Sequence, residues 1–241
     1  MLSIISLGLS GKKDISINGL ETCRKCDVLY IEVYTNYFNS GLKELTEFIG
    51  KEIVELKRED LENNSRKIIE EAKKRKVGIL IPGDCFSATT HISLLTEAKK
   101  EDVKINIVHG SSVFTAVAET GLSLYNFGKA TTIPFDNKNI KSPLEVLKNN
   151  QKLGMHTLFL LDVKDNKYMT INEGLKYLAD NGFSEENFSV GCAGLGSENK
   201  EIKYGKMNEL IKHKFKAYPQ CLVIPGKLHF TEEEALELFK E

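Results

Sequence analysis

The stretch from Ile79 to His91, ILIPGDCFSATTH, joins residue types that a small-molecule site needs: an apolar run, a Pro-Gly break, an acid, then small hydroxyl residues ending in histidine. Pro82 cannot donate to a sheet ladder and Gly83 permits a sharp turn. Asp84 is therefore expected just beyond the carboxyl end of a strand, where open α/β sheets bind ligands. An acid placed there holds a cationic or hydroxylated molecule. Equally open is a local role, in which Asp84 satisfies backbone donors of the turn or caps the next helix, with Thr89 or Thr90 as alternative caps. Four further loops follow apolar runs: Gly8-Leu9-Ser10-Gly11, His109-Gly110-Ser111-Ser112-Val113, Asp162-Val163 and Ala193-Gly194-Leu195-Gly196-Ser197. Their glycines let a ligand approach the backbone, whose amides and carbonyls read an adenine edge or a ribose without charged side chains. That favours a neutral or zwitterionic ligand.

Other chemistries fit less well. No G-x-G-x-x-G follows the first apolar run and no G-x-x-x-x-G-K-[ST] occurs, so dinucleotide and P-loop chemistry are disfavoured. G-x-S-x-G is also absent, which argues against a serine hydrolase of that type. The five histidines (His91, His109, His156, His213 and His229) lack the spacing of a helical zinc site, and no metal is expected. His91 is expected to satisfy hydrogen bonds at a helix start rather than to move protons. Cys23 and Cys26 form a lone CxxC inside a helical segment, a weak signal for metal or redox work. Five scattered cysteines leave one unpaired and suit a reducing cytoplasm.

The elements that must carry these loops are legible as short runs of branched residues: Leu2 to Leu7, Val28 to Val33, Val77 to Ile81, Ile105 to Val108, Thr157 to Leu161, Phe188 to Cys192 and Cys221 to Ile224. Such runs read as strands buried on both faces. Between them lie amphipathic stretches, as from Asp60 to Lys76, where Leu61, Ile68 and Ala72 share one face. Helices are also expected at Ile17 to Cys26, Thr89 to Lys100, Val113 to Thr120, Pro143 to Leu153, Ile171 to Asn181 and Thr231 to Phe239. The alternation predicts an α/β fold with largely parallel sheets. The irregular segment Leu124 to Ser142 marks a change of lobe, giving α/β lobes over 1–123 and 124–241. With 33 basic and 34 acidic residues in 241, the formal net charge of -1 favours neither nucleic acid nor an anionic membrane. No window approaches the roughly 20 apolar residues of a membrane span, so a soluble, intracellular protein is expected. The acidic end (Glu232 to Glu234, Glu237 and Glu241) reads as the solvated side of a last helix.

Six ordered motifs, LGLSGKKDIS, PGDCFSATTH, HGSSVFTAVAETGLSLYNFGK, GMHTLFLLDV, VGCAGLGSE and PGKLHF, closely resemble the diphthine synthases, and the resemblance covers nearly the whole chain. It implies the tetrapyrrole methylase-like (class III) methyltransferase fold, a homodimer, and S-adenosylmethionine as methyl donor in a crevice between the lobes. It implies repeated methylation of the amino group on the 3-amino-3-carboxypropyl-histidine of translation elongation factor 2, within diphthamide biosynthesis. The ETGLSLYNFGK wording resembles archaeal members, which implies trimethylation rather than a fourth methyl ester. Alternative readings are a tetrapyrrole methyltransferase of the same fold, or a non-catalytic module that binds elongation factor 2. By position, the resemblance assigns donor contacts to Leu9, Asp84, Ser87, Ser112, Val113, Leu161, Leu195 and Gln220, and names no catalytic residue. Cys85, Gly194 and Gln220 depart from the usual Pro, Arg and His.

Overall fold

Every expected strand is present in the computed structural model, which describes all residues except 35, 36, 39, 165, 166 and 241. The chain divides into two compact units, Met1–Phe114 and Thr115–Glu241, so the boundary expected at 123/124 lies inside the second. Among the described residues no helix is long and apolar enough to cross a membrane.

The first unit runs β1 (Leu2–Ser6), α1 (Ile17–Lys25), β2 (Val28–Glu32), α2 (Leu42–Ile49), β3 (Ile53–Leu56), α3 (Arg58–Glu62), α4 (Ser65–Lys74), β4 (Val77–Ile81), α5 (Ile92–Lys100) and β5 (Ile105–Val108). Its strands are parallel throughout, in the order β3-β2-β4-β1-β5. β1 and β4 are buried at every position because helices cover both faces. Leu2 and Ile4 pack with Leu61, Ile68 and Leu94 from α3, α4 and α5, while Ile5 packs with Cys23 and Leu45 from α1 and α2. The chain thus leaves β1 toward one face and β4 toward the other. The carboxyl ends of these neighbours form a topological switch point, the place where such sheets bind ligands.

One expectation changes here. The amphipathic stretch from Asp60 to Lys76 forms two helices, because Asn63 ends α3 and Asn64 precedes α4, with Asn64 Nδ2 donating to Glu59 O at 3.3 Å. Asparagine competes for helix hydrogen bonds in this way. Cys23 and Cys26 lie at the end of α1 with both thiols buried, and burial pushes Cys23 up to about 12 and raises Cys26 as well. Neither is poised as a thiolate.

A short helix α6 (Val113–Ala116) crosses the division. The second unit then runs β6 (Thr131–Ile133), α7 (Ser142–Lys152), β7 (Thr157–Leu161), the small hairpin β8 (Val163–Lys164) and β9 (Lys167–Tyr168), α8 (Ile171–Asp180), β10 (Phe188–Ala193), β11 (Glu201–Lys206), α9 (Met207–Leu210), β12 (Gln220–Ile224) and α10 (Phe230–Glu237). Its sheet order is β11-β10-β12-β7-β6. The parallel expectation describes the first sheet. In the second only β6 and β7 pair in parallel, while β7·β12, β12·β10 and β10·β11 are antiparallel. The reason is connectivity: α7 and α8 carry β6, β7 and β10 in one direction, but β11 returns from β10 through a loop and β12 slots between β10 and β7. Phe159, Leu161 and Leu222 pack with Leu147 of α7 and Leu175 and Leu178 of α8.

The acidic end also differs from expectation. Glu233, Glu234 and Glu237 are exposed, but Glu232 is fully buried, and Glu241 lies outside the described residues. Glu232 turns inward as the third residue of a capping box, accepting from His229 N at 2.9 Å. Its other oxygen accepts from Ser123 N at 2.8 Å and Asn126 Nδ2 at 3.1 Å, and lies 3.2 Å from His156 Nε2.

Candidate active site

Three glycines meet at the switch point of the first unit. Gly8 N donates to Gly83 O at 3.1 Å and Gly83 N to Gly8 O at 2.8 Å, with both residues at positive φ, a region open to glycine without strain. A Cβ on Gly110 would lie 2.8 Å from Ser6 Cβ and 3.2 Å from Gly8 N. The loops after β1, β4 and β5 are therefore locked together through bare backbone.

Side chains complete the lock. Asp14 Oδ2 accepts from Leu9 N at 2.6 Å, from Ser10 N at 3.3 Å and from the Ser111 hydroxyl, clamping the first loop to the third. Leu9 N also reaches Ser111 Oγ at 3.1 Å, which fixes the backbone of the first loop a second time. Neither Asp14 nor Ser111 stands out in sequence; the only hint is an acid shortly after a glycine loop.

Asp84 is almost buried. Oδ1 accepts from Phe86 N at 3.0 Å and Ser87 Oγ at 3.2 Å, and Oδ2 pairs with His109 Nδ1 at 2.8 Å and accepts from Gly110 N at 3.3 Å. Burial works to raise its carboxyl, but donation from Phe86 N, His109 and Gly110 N outweighs that and holds it below the usual carboxylate range. Asp84 satisfies turn donors as one reading expected, yet caps no helix. α5 begins only at Ile92 with no side-chain cap, and Thr89 Oγ1 instead donates to Cys85 O at 2.6 Å. His91 joins it there, with Nδ1 3.2 Å from Cys85 O and Nε2 3.5 Å from the buried Glu32. The ATTH residues thus fold back to hold the loop, a structural role for His91. Cys85 N donates to Ser6 Oγ at 2.9 Å, a bond proline could not make. Ser112 is buried with Oγ accepting from Phe114 N at 3.3 Å, and Val113 is half-buried at the start of α6.

In the second unit Leu161 ends β7, and Leu195 is buried between Gly194 and Gly196, both at positive φ. A Cβ on Gly194 would lie 2.7 Å from Ala217 Cβ, so an arginine there would require local rearrangement. Gln220 is buried with both ends of its amide engaged, Oε1 accepting from Ile171 N at 2.8 Å and Nε2 donating to Ala217 O at 3.0 Å.

Asp84, Cys85 and His109 each place one donor atom within 4.8 Å of the others. The carboxylate is committed to N–H donors and burial raises the Cys85 thiol, so the grouping is a hydrogen-bonded cluster rather than a cation site.

Comparison with known proteins gives the family. The family model for Tetrapyrrole (Corrin/Porphyrin) Methylases matches residues 1–211. A diphthine synthase of Methanocaldococcus jannaschii is 39% identical over 255 residues, covering 100% of this chain and 99% of that relative. The chain belongs to the diphthine synthase family. A second diphthine synthase, from Archaeoglobus fulgidus, is 40% identical over 244 residues, covering 100% of this chain and 96% of that relative. A crystal structure of diphthine synthase matches with a TM-score of 0.95 at 39% identity, over 99% of this chain and 95% of that one. Diphthine synthases use S-adenosylmethionine to transfer methyl groups in diphthamide biosynthesis, and the chain is such a methyltransferase with the tetrapyrrole methylase fold. The first unit's switch point suits that donor: a glycine-lined backbone at the ends of β1, β4 and β5, an ionised Asp84, and no need for a phosphate cradle.

Proposed function

We propose that the protein trimethylates the amino group of the 3-amino-3-carboxypropyl-histidine of translation elongation factor 2, in the cytoplasm and as a homodimer. The observation that carries this reading is full-length identity near 40% to diphthine synthases, running through the PGKLHF end of the chain. In the first unit, donor contacts are assigned to Leu9, Asp84, Ser87, Ser112 and Val113. S-adenosylmethionine supplies an electrophilic methyl group, so the protein's task is positioning more than bond activation. The carbonyl of Leu9 and the backbone at Ser112 and Val113 hold neutral edges, while the Asp84 carboxylate, fixed by its four donors, offers a fixed negative charge to a cationic or hydroxylated group. The test is direct. Purified protein is incubated with S-adenosylmethionine and elongation factor 2 carrying the aminocarboxypropyl histidine, and the modified peptide is weighed. Three methyl increments are expected; an unmodified peptide overturns the reading, and a fourth increment overturns trimethylation.

A further inference from the structure

Amine methylation needs a proton acceptor, because an ammonium group has no lone pair with which to attack. The resemblance supplied none. The first unit contains a paired acid and imidazole that has the form of one: Asp84 Oδ2 lies 2.8 Å from His109 Nδ1, with the carboxylate side chain 9% exposed and the histidine 68% exposed. Oδ2 also accepts from Gly110 N, and Oδ1 accepts from Phe86 N and Ser87 Oγ, so the carboxylate is surrounded by donors and Nδ1 must carry its proton toward it. That assignment leaves the lone pair on Nε2, for which no partner exists among the described residues. The ring meets Phe86 edge-on with centroids 6.2 Å apart, which steadies its orientation. The other titratable group beside it is Cys85, whose thiol is buried and raised, hence neutral. His109 directly precedes Gly110 in the lock with Gly8 and Gly83, and lies three residues before Ser112 in the chain.

We propose that His109 Nε2 accepts the proton of the substrate ammonium, with Asp84 as the positioning residue that fixes the tautomer and steadies the imidazolium. The inference rests on the amine-methylating reading above. In each cycle one N–H bond of the ammonium breaks, its electron pair stays on the substrate nitrogen, and the proton bonds to Nε2. Nitrogen then forms a bond to the donor's methyl carbon as the sulfur–carbon bond breaks with its electrons going to sulfur. The nitrogen is again positively charged, and His109 returns its proton to water before the next cycle. Three transfers remove three protons, and the quaternary product has none left to lose, so the histidine has no further proton to remove once trimethylation is complete.

Two variants and three readouts test this. His109→Gln keeps an N–H that can reach Asp84 but lacks a basic nitrogen; His109→Ala leaves space for an added base. For His109→Gln, melting temperature and donor affinity by calorimetry should stay near wild type while turnover near neutral pH falls roughly 100- to 10,000-fold. For His109→Ala, added imidazole should restore turnover in proportion to its concentration. In donor-free wild-type protein, nitrogen NMR should show the Nδ1–H tautomer, and Asp84→Asn should shift the population toward Nε2–H. Wild-type turnover first establishes the methylation reading; a silent wild type overturns both. With an active wild type, a His109→Gln enzyme within about threefold of it, or an Nε2–H tautomer in the wild type, overturns the proposal for His109 alone.

Discussion

Gly110 shows how little room separates the three loops. Its hypothetical Cβ lies 2.8 Å from Ser6 Cβ, a main-chain-anchored atom that cannot swing aside. Gly110→Ala should therefore push the β5 loop away from the Gly8–Gly83 bridge, costing about 1–3 kcal/mol as overpacking does. Calorimetric donor binding should weaken together with the melting temperature; unchanged values for both would show that the loop relaxes freely. Asp14 makes a second case. One oxygen accepts from Leu9 N, Ser10 N and Ser111, so Asp14→Ala strands donors of the first loop and should cost about 1–3 kcal/mol. The same change should lower donor affinity, because Leu9 loses its anchor. Donor affinity equal to wild type, with the melting temperature lowered, would confine Asp14 to folding. At this scale the sequence exposes Asp84 and the glycines through the abrupt change from apolar run to turn. It does not expose Asp14 or His109, whose significance lies in partners 97 and 25 positions away.

Elements meet differently in the second unit. Three motifs that carry the family resemblance, HGSSVFTAVAETGLSLYNFGK, GMHTLFLLDV and PGKLHF, converge on the buried Glu232: Ser123 and Asn126 from the first, His156 from the second and His229 from the third, with Gly226 of the third bonding His156. Gly226 N donates to His156 Nδ1 at 2.9 Å, so Nε2 carries the proton that faces Glu232. The network fastens the start of α10 to the loop before β6 and to the start of β7. Glu232→Ala should cost about 3–5 kcal/mol, since buried donors on three segments lose their acceptor. Denaturant unfolding checks this, and a loss below about 1 kcal/mol would mean that water replaces the carboxylate. Propensity alone places Glu232 among solvated acids, as its neighbours Glu233 and Glu234 are, because nothing local distinguishes them. β3, β6 and β11 escape sequence reading for a related reason: Ile53–Leu56 has two exposed central residues, Thr131–Ile133 is only three residues long, and Glu201–Lys206 has no apolar run. All three are outermost strands of their sheets, where burial on both faces no longer writes a continuous hydrophobic run.

Among the described residues two buried carboxylates are held below their ordinary range, Asp84 in the first unit and Glu232 in the second, beside the exposed Glu101 that Lys73 lowers, and the buried pair shapes the response to acid. For Glu232, burial works to raise the carboxyl, but donation from His229 N and Ser123 N, then Asn126 and His156, brings it from an ordinary 4.5 down to about 2. A depressed value in the folded state means that the unfolded chain binds the proton first. The stabilisation is therefore complete above about pH 4.5 and is lost as pH falls through the folded value of about 2. Asp84 acts with the same sign in the first unit, its contribution present above the unfolded value and lost as pH falls through its lowered folded value. Glu232 alone accounts for about 3 kcal/mol across that window, at roughly 1.4 kcal/mol per pH unit for one proton. Urea unfolding of the wild type should accordingly show stability falling steadily as the pH is lowered from about 5 toward about 2. Glu232→Gln keeps the side-chain shape and one acceptor but cannot ionise, so it should begin less stable near neutral pH and remove about one proton's worth of slope below pH 4.5. The steps must coincide in the same variant: lower stability at neutral pH with an unchanged acid slope would assign the loss to altered packing, and the slope to carboxylates elsewhere in the fold.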